Sequence, residues 1–383
     1  MRAMNKSKDA MQIHAYPSDH VYAYRTSWWD ILNDRVSFDA VLHTIALTNA
    51  SSHRLSIVTL TIDACARGTP ISRQTLQKHE LQTLAEPING RVKAGLGRTL
   101  DLVIFMDQTL PAGVEPYSSP ALDPNTALVI PNLYLTFHAL PDTLELIAEA
   151  TDKDGAIVST SITLNVIEYQ CKNQYVLPVE GTWFMKAYPE TGRLDHHRFG
   201  VSNEFGVDFL KLGPEGALFR NDGRLAEDWY SHGESVLAAA GGKVVATHTS
   251  SIQEWTRFNP QEGETEDAFQ ERQLREVHEA LAGDVLDWAA GNYIVIEHPG
   301  GEFSSYLHLK EGSVRVKVGD QVAGGDHIAE VGNTGDSYGA HLHFQITDSE
   351  DLITGRSLPF AFADMKVDLE EPGKFVRSAP RAD

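Results

Sequence analysis

Gly339-Ala340-His341-Leu342-His343-Phe344-Gln345-Ile346 closes a Gly- and Val-rich β pattern and carries two histidines two positions apart. In a strand, residues i and i+2 face the same side, roughly 6–7 Å apart along it. His341 and His343 are therefore placed so that one imidazole can bind a metal while its neighbour faces the metal's open position. The pair alone is equally compatible with two half-exposed strand histidines, so its weight depends on the residues around it.

Upstream, the turn Val331-Gly332-Asn333-Thr334-Gly335 leads into this strand. Before it, Val314–Val322 and Gly324–Gly332 alternate apolar and polar residues around glycine turns, as small β-barrels do. Gly233–Val245 reads as a strand, a Gly-Gly turn and another strand. Biotinyl and lipoyl carrier domains use similar hairpins, but their modified lysine has no clear counterpart here, so these segments are architecture. Two other segments carry chemistry. Phe205-Gly206-Val207-Asp208-Phe209 sets a lone carboxylate among apolar strand residues, and Tyr306-Leu307-His308-Leu309 sets a histidine on another apolar strand. One carboxylate and several histidines on neighbouring strands suit a zinc hydrolase, which needs about three protein ligands and one open position. Taken singly, Asp208 reads as a strand-edge carboxylate and His308 as a satisfied semi-buried histidine. His248, His278, His298 and His327 read as structural histidines.

In order, GVDF, GESVLAAAGGKVV, NYIVIEHPGGEFSSYLHL, VRVKVGDQVAGGDHIAEVGNTG and GAHLHFQI resemble the lysostaphin-type zinc endopeptidases across residues 175–362. That resemblance implies hydrolysis of peptide bonds in peptidoglycan cross-bridges or stem peptides, one zinc per chain, and a location in the periplasm or outside the cell. It also implies that Asp208 and His343 bind zinc and that His308 and His341 are catalytic. The chain departs from the family pattern at one ligand, a histidine four residues before the aspartate, where it has Glu204. Some family branches carry this histidine further upstream in a His-Arg pair, which His197-Arg198 matches. His197 is the preferred third ligand, with His196 and Glu204 as alternatives. The rival reading is a degenerate, non-catalytic binding or regulatory relative. A weaker one is a metallopeptidase with a substrate outside the cell wall.

The remaining sequence sets the frame. At 383 residues, with 42% hydrophobic and 22% charged content, the chain reads as two folded domains. The net charge of -21 disfavours nucleic acid and anionic membranes as partners. No apolar run is long enough for a membrane-spanning helix. Met1–Ala10 is basic but has no apolar stretch behind it, so no export signal is visible. Cys65 and Cys171 are far apart and read as buried free thiols.

The expected fold is mostly β. Residues 1–19 form a tail, and residues 20–168 an immunoglobulin-like β-sandwich with strands such as 36–43, 55–62 and 156–164. Pro111, Pro116, Pro120 and Pro124 break its middle into loops. A lysostaphin-type β-barrel or sheet domain follows over residues 175–362, with a second tail over 363–383. Residues 254–287 interrupt that domain with ten acidic and three basic residues. Gln270, Leu274, Val277 and Leu281 recur there at helical spacing before Gly283, predicting an inserted helix that is either a solvated surface element or a lid.

Overall fold

The structure, a computed structural model, describes residues 10–26, 37–93, 109–117, 119–186, 196–252, 260–283, 285–364, 366–367 and 375–377. Two compact units divide the chain, Met1–Tyr169 and Gln170–Asp383.

The N-terminal unit contains β1 (Met11–Tyr16), β2 (His20–Thr26), β3 (Ser37–Asn49), β4 (Leu55–Ala66), β5 (Thr69–Gln77), β6 (Glu115–Tyr117), β7 (Ala121–Leu122), β8 (Thr126–Phe137), β9 (Thr143–Thr151) and β10 (Ile157–Glu168). Its strand order is β5-β4-β9-β10-β2-β3-β8-β6, with β1 on β3 and β7 on β4. The strand β2 serves two groups of strands, since His20–Ala23 runs parallel to β10 and Tyr24–Thr26 runs antiparallel to β3. Leu42 and Leu47 of β3, Leu60 of β4 and Leu146 of β9 join one buried cluster between these groups. A two-layer β unit results, and nothing in its strand order singles out the immunoglobulin type. Residues 11–16, read from sequence as tail, form β1, because Met11, Ile13 and Ala15 alternate into the same core. A turn at Asp152–Gly155 leads into β10, with Asp152 Oδ1 accepting from the N–H groups of Asp154 and Ala156 and Gly155 at φ +78°. A helix the sequence did not suggest, α1 (Lys78–Lys93), docks by Leu81 and Ala85, one turn apart. With Leu84 packed beside them, three apolar residues within a single turn are too short a stripe to read as a helix.

The C-terminal unit contains β11 (Thr182–Lys186), β12 (Val207–Leu210), β13 (Ser235–Leu237), β14 (Gly242–His248), α2 (Glu266–Ala282), α3 (Val285–Ala290), β15 (Asn292–His298), β16 (Glu302–Leu309), β17 (Gln321–Val322), β18 (His327–Glu330), β19 (Leu342–Thr347), β20 (Lys366–Val367) and β21 (Phe375–Arg377). Nine of these strands form one curled, half-barrel sheet in the order β17-β14-β15-β16-β19-β12-β11-β21-β20. The two hairpins expected around glycine turns do not pair with themselves. Instead β13 pairs with β18, and β14 pairs with β15 and β17. The two corners interlock, with Ala238 N–H donating to Asp326 O at 2.9 Å and Gly325 N–H donating to Ala238 O at 2.8 Å. Period-2 alternation sets which face of a strand is buried, not which strand it meets, so both hairpin readings failed on partner; strand character held at 235–237, 242–248, 321–322 and 327–330 but not over Val314–Val318.

The acidic insertion is helical, and α2 stops one residue before Gly283. Thr265 begins it by accepting the Ala268 N–H on its side chain, and Arg272 grips Glu264 through two nitrogens at 2.9 and 3.0 Å. The side chains of Leu274, Val277 and Leu281, expected to dock this helix, lie outside the described residues, as do 253–259, 1–9 and most of 363–383; the described part of that expected tail, β20 and β21, instead extends the sheet beside β11. Cys65 and Cys171 are both free and half-buried. Among the described residues no helix is long and apolar enough to cross a membrane.

Candidate metal centre

Three adjacent strands carry the site. Asp208 on β12 is the register partner of His343 on β19, and Leu307 on β16 is opposite His343 on its other side. Alternation along β19 sends Leu342, Phe344 and Ile346 into the core and leaves His343 and Gln345 on the other face, with His341 immediately before the strand. Gly206, just before β12, leaves the space His343 needs, since a Cβ there would lie 2.8 Å from the imidazole Cε1.

His308 reaches the same face by a different device. Tyr306 pairs with Ile294 and Leu309 with Asn292, so Leu307 and His308 together stand opposite one residue of β15. Such a bulge re-aims a side chain. His308 itself has φ +62°, a left-handed conformation that costs about 1–3 kcal/mol outside glycine. Its Nδ1–H donates to the Thr334 carbonyl at 2.9 Å, which holds the ring in place.

His197 arrives from a 3₁₀ turn, His196–Phe199, after which residues 201–205 fold back toward β12. Its Nε2 lies 3.3 Å from Asp208 Oδ1, and His343 Nδ1 lies 3.1 Å from the same oxygen. One donor atom from each of these three buried residues lies within 4.8 Å of the others. His341 Nε2 is 3.6 Å from Asp208 Oδ1, and the His308 and His341 rings are 4.7 Å apart.

Proton placement tests whether this donor set fits a cation. Gln345 donates its amide N–H to Ser202 O at 3.0 Å, which turns its oxygen toward His343 Nε2 at 2.8 Å. That oxygen only accepts, so Nε2 carries a proton, and the Nδ1 of a neutral His343 meets Asp208 as a second acceptor. Either a second proton or a cation resolves the contact, and the approach of His197 to the same oxygen favours a cation. Two nitrogens and one carboxylate, all buried, are a donor set suited to zinc or a similar divalent ion.

Burial alone would raise the Asp208 carboxyl, but the facing imidazoles of His197 and His341 hold it well below the usual carboxylate range. Burial pushes His308 well below its ordinary value, and the neighbouring His341 and His343 add to this. His341 is lowered as well, chiefly by burial, against the opposing pull of Asp208. Both rings are therefore neutral near pH 7. Their Nδ1 atoms face carbonyls, Thr334 O for His308 and Gly339 O at 2.8 Å for His341, so each Nε2 carries the lone pair.

Glu204 is not in the donor group. It is buried with Arg198, whose guanidinium is 3.5 Å away and lies over the Phe205 ring. The side chain of His196 lies outside the described residues. His248 contacts Asp287, His298 bridges Gly241 O and Ser304, and His327 contacts Ala329 O. The sequence reading missed Gln345, Thr334 and Ser337, which orient the imidazoles. Only Gln345 left a signal, standing two residues beyond His343 on the same strand face.

Residues 268–354 match Peptidase family M23, a span that includes His308, His341 and His343. An uncharacterized metalloprotease of Buchnera aphidicola subsp. Baizongia pistaciae is 39% identical over 82 residues, 21% of this chain and 21% of that protein. Peptidoglycan DD-endopeptidase ShyA of Vibrio cholerae is 35% identical over 85 residues, 22% of this chain and 18% of that protein. The chain thus spans about a fifth of the length of the curated relatives it matches. Among solved structures, the catalytic domain of lysostaphin from Staphylococcus simulans aligns with 49% of this chain and 88% of that one, at 21% identity and a TM-score of 0.23.

Proposed function

Given that its C-terminal unit belongs to peptidase family M23, we propose that the chain is a zinc-dependent endopeptidase acting on peptide bonds of peptidoglycan cross-links or stem peptides. The observation that carries this reading is the convergence of His197 and His343 on Asp208 Oδ1, with two neutral imidazoles beside it. His197, Asp208 and His343 would hold the ion. Zinc bound there supplies Lewis acidity, polarising a scissile carbonyl and making water a better nucleophile near neutral pH. The chain's own share is proton transfer and charge stabilisation. The Nε2 of His341, on a side chain that keeps 15% exposure, can take a proton from the attacking water and return it to the leaving amine. In the other order, His308 Nε2 takes the water's proton, faces the oxyanion as an imidazolium and gives the proton up to the leaving amine, while Thr334 O holds the opposite nitrogen. Lone pairs on both Nε2 atoms allow either ring to begin as base. After one is protonated, Coulomb repulsion at 4.7 Å between rings keeps the other neutral.

Purified protein should carry about one zinc per chain and cleave isolated peptidoglycan or its peptides, with activity lost on chelation and restored by zinc. Bound metal without cleavage of any wall peptide would leave the non-catalytic reading in its place.

The third ligand has its own test. His197→Ala should strip the metal, whereas Glu204→Gln should lower the melting temperature, because it leaves Arg198 buried beside a neutral partner, yet keep metal in the folded protein. Metal analysis of both variants decides it, and the opposite pattern would move the ligand to Glu204.

Turnover should also follow the depressed imidazoles. Catalysis that uses neutral rings is present above their folded-state pKa and lost as pH falls through it. Both rings are lowered from 6.5, so the acid limb of kcat should lie below pH 6.5. A limb at or above the ordinary histidine value would contradict the assignment.

A further inference from the structure

We propose that α3, the last helix of the acidic insertion, positions the His308 and His341 imidazoles through the turn Asn333–Ser337. This rests on the catalytic reading of those two rings. The turn touches both of them. Thr334 O accepts from His308 Nδ1–H, and the fully buried Ser337 hydroxyl lies 2.7 Å from Asn333 Oδ1 and 3.0 Å from His341 Nδ1.

Behind the turn stands the end of the insertion. Asp336 N–H donates to Ala289 O at 3.1 Å. Gly291 (φ +62°) and Gly335 (φ +78°) meet without side chains between them. A Cβ on Gly291 would lie 2.4 Å from the Thr334 carbonyl carbon, and one on Gly335 would lie 2.5 Å from Gly291 N. Thr334 Oγ1 accepts from Asn292 N–H at 2.8 Å and donates to Leu309 O at 2.9 Å, so the same threonine ties the start of β15 to the end of β16. Close-packed backbone has no slack to absorb a shift. A displacement of the Ala290–Asn292 corner is therefore passed to the carbonyl that orients His308.

The other end of α3 is anchored too. Asp287 accepts from the Ser251 hydroxyl and lies 2.9 Å from His248 Nε2 on β14. Ser251 and Asn292 exchange two hydrogen bonds of 3.0 and 2.9 Å. The insertion leaves the sheet after β14 and returns at β15, and these contacts close that excursion against the turn beneath both imidazoles.

The test uses the full chain loaded with zinc and two variants, Asp287→Ala at the anchor and Gly335→Ala at the contact. Long-range proton–nitrogen spectra of the imidazoles, assigned with His308→Gln and His341→Gln, report which ring nitrogen carries the proton. The wild type should show Nδ1–H at both rings. Both variants should lose that single tautomer at His308, keep their zinc, and lower kcat about tenfold with KM within about twofold, since misplacement by about 1 Å can cost on the order of 100-fold. Unchanged tautomers and kcat in Asp287→Ala would overturn the proposal whatever Gly335→Ala does, because the turn would then be self-supporting. Should Gly335→Ala not fold, Asp287→Ala decides alone, with Asp287→Asn replacing it if the alanine variant is unstable. The tautomers can be read in a protein that cleaves nothing, so failure of the peptidase reading is distinguishable from failure of this one.

Discussion

Asp208→Ala and His343→Ala should each abolish metal binding by the C-terminal unit. Asp208 supplies the only carboxylate of the donor group, and its Oδ1 is the atom on which His197 and His343 converge at 3.3 and 3.1 Å. Removing it takes away the charge that offsets a cation in a buried site and leaves two imidazoles that no longer converge on anything. His343 is held by Gln345 on one nitrogen, so in the proposed site its loss would remove a ligand already oriented for binding through the other. Either change should cost far more affinity than Gln345→Ala, where losing an outer hydrogen-bond partner typically costs about 10–100-fold. Metal content after dialysis against a weak chelator checks this, with the Gln345 variant as internal scale. Full zinc occupancy in both Asp208→Ala and His343→Ala would remove the site from these residues.

His308→Ala and His341→Ala should abolish most turnover while the metal stays. Neither ring belongs to the three-residue donor group, and each uses Nδ1 to hold a carbonyl, which leaves Nε2 for chemistry. Loss of a general acid–base group typically costs about 10²–10⁴ in rate. The effect should fall on kcat, since neither ring is needed to hold the ion. The two replacements together should cost less than the product of the single losses, because rings 4.7 Å apart share one proton-handling task. If His341→Ala loses zinc as completely as His343→Ala, the roles of the two strand histidines are exchanged.

The legible parts of this protein were those governed by local period and by ordered motifs. HxH on a strand, a lone aspartate in an apolar strand and a histidine after Tyr-Leu all reach the same site. The inserted helix and its stop before Gly283 were likewise readable. Less legible was α1, whose docking stripe spans a single turn, Leu81 to Ala85. The strand β1 was read as tail because three alternating apolar residues beside a chain terminus are a weak signal.

Sequence by itself determined the central strands of the C-terminal unit, though not β20 and β21, together with the faces of β19 and the residue types needed for a metal and two imidazoles. Tertiary structure alone decided partners and aim. It paired Asp208 with His343 across two strands, and it set β13 on β18 instead of β14. It also brought His197 to the aspartate while turning Glu204 toward Arg198. The physical reason is that alternation specifies a face, whereas a partner is chosen by packing between segments far apart in the chain. His308 makes the point most directly. Its identity is plain in the sequence, but its orientation comes from a bulge and a left-handed backbone, held by a carbonyl 26 residues away.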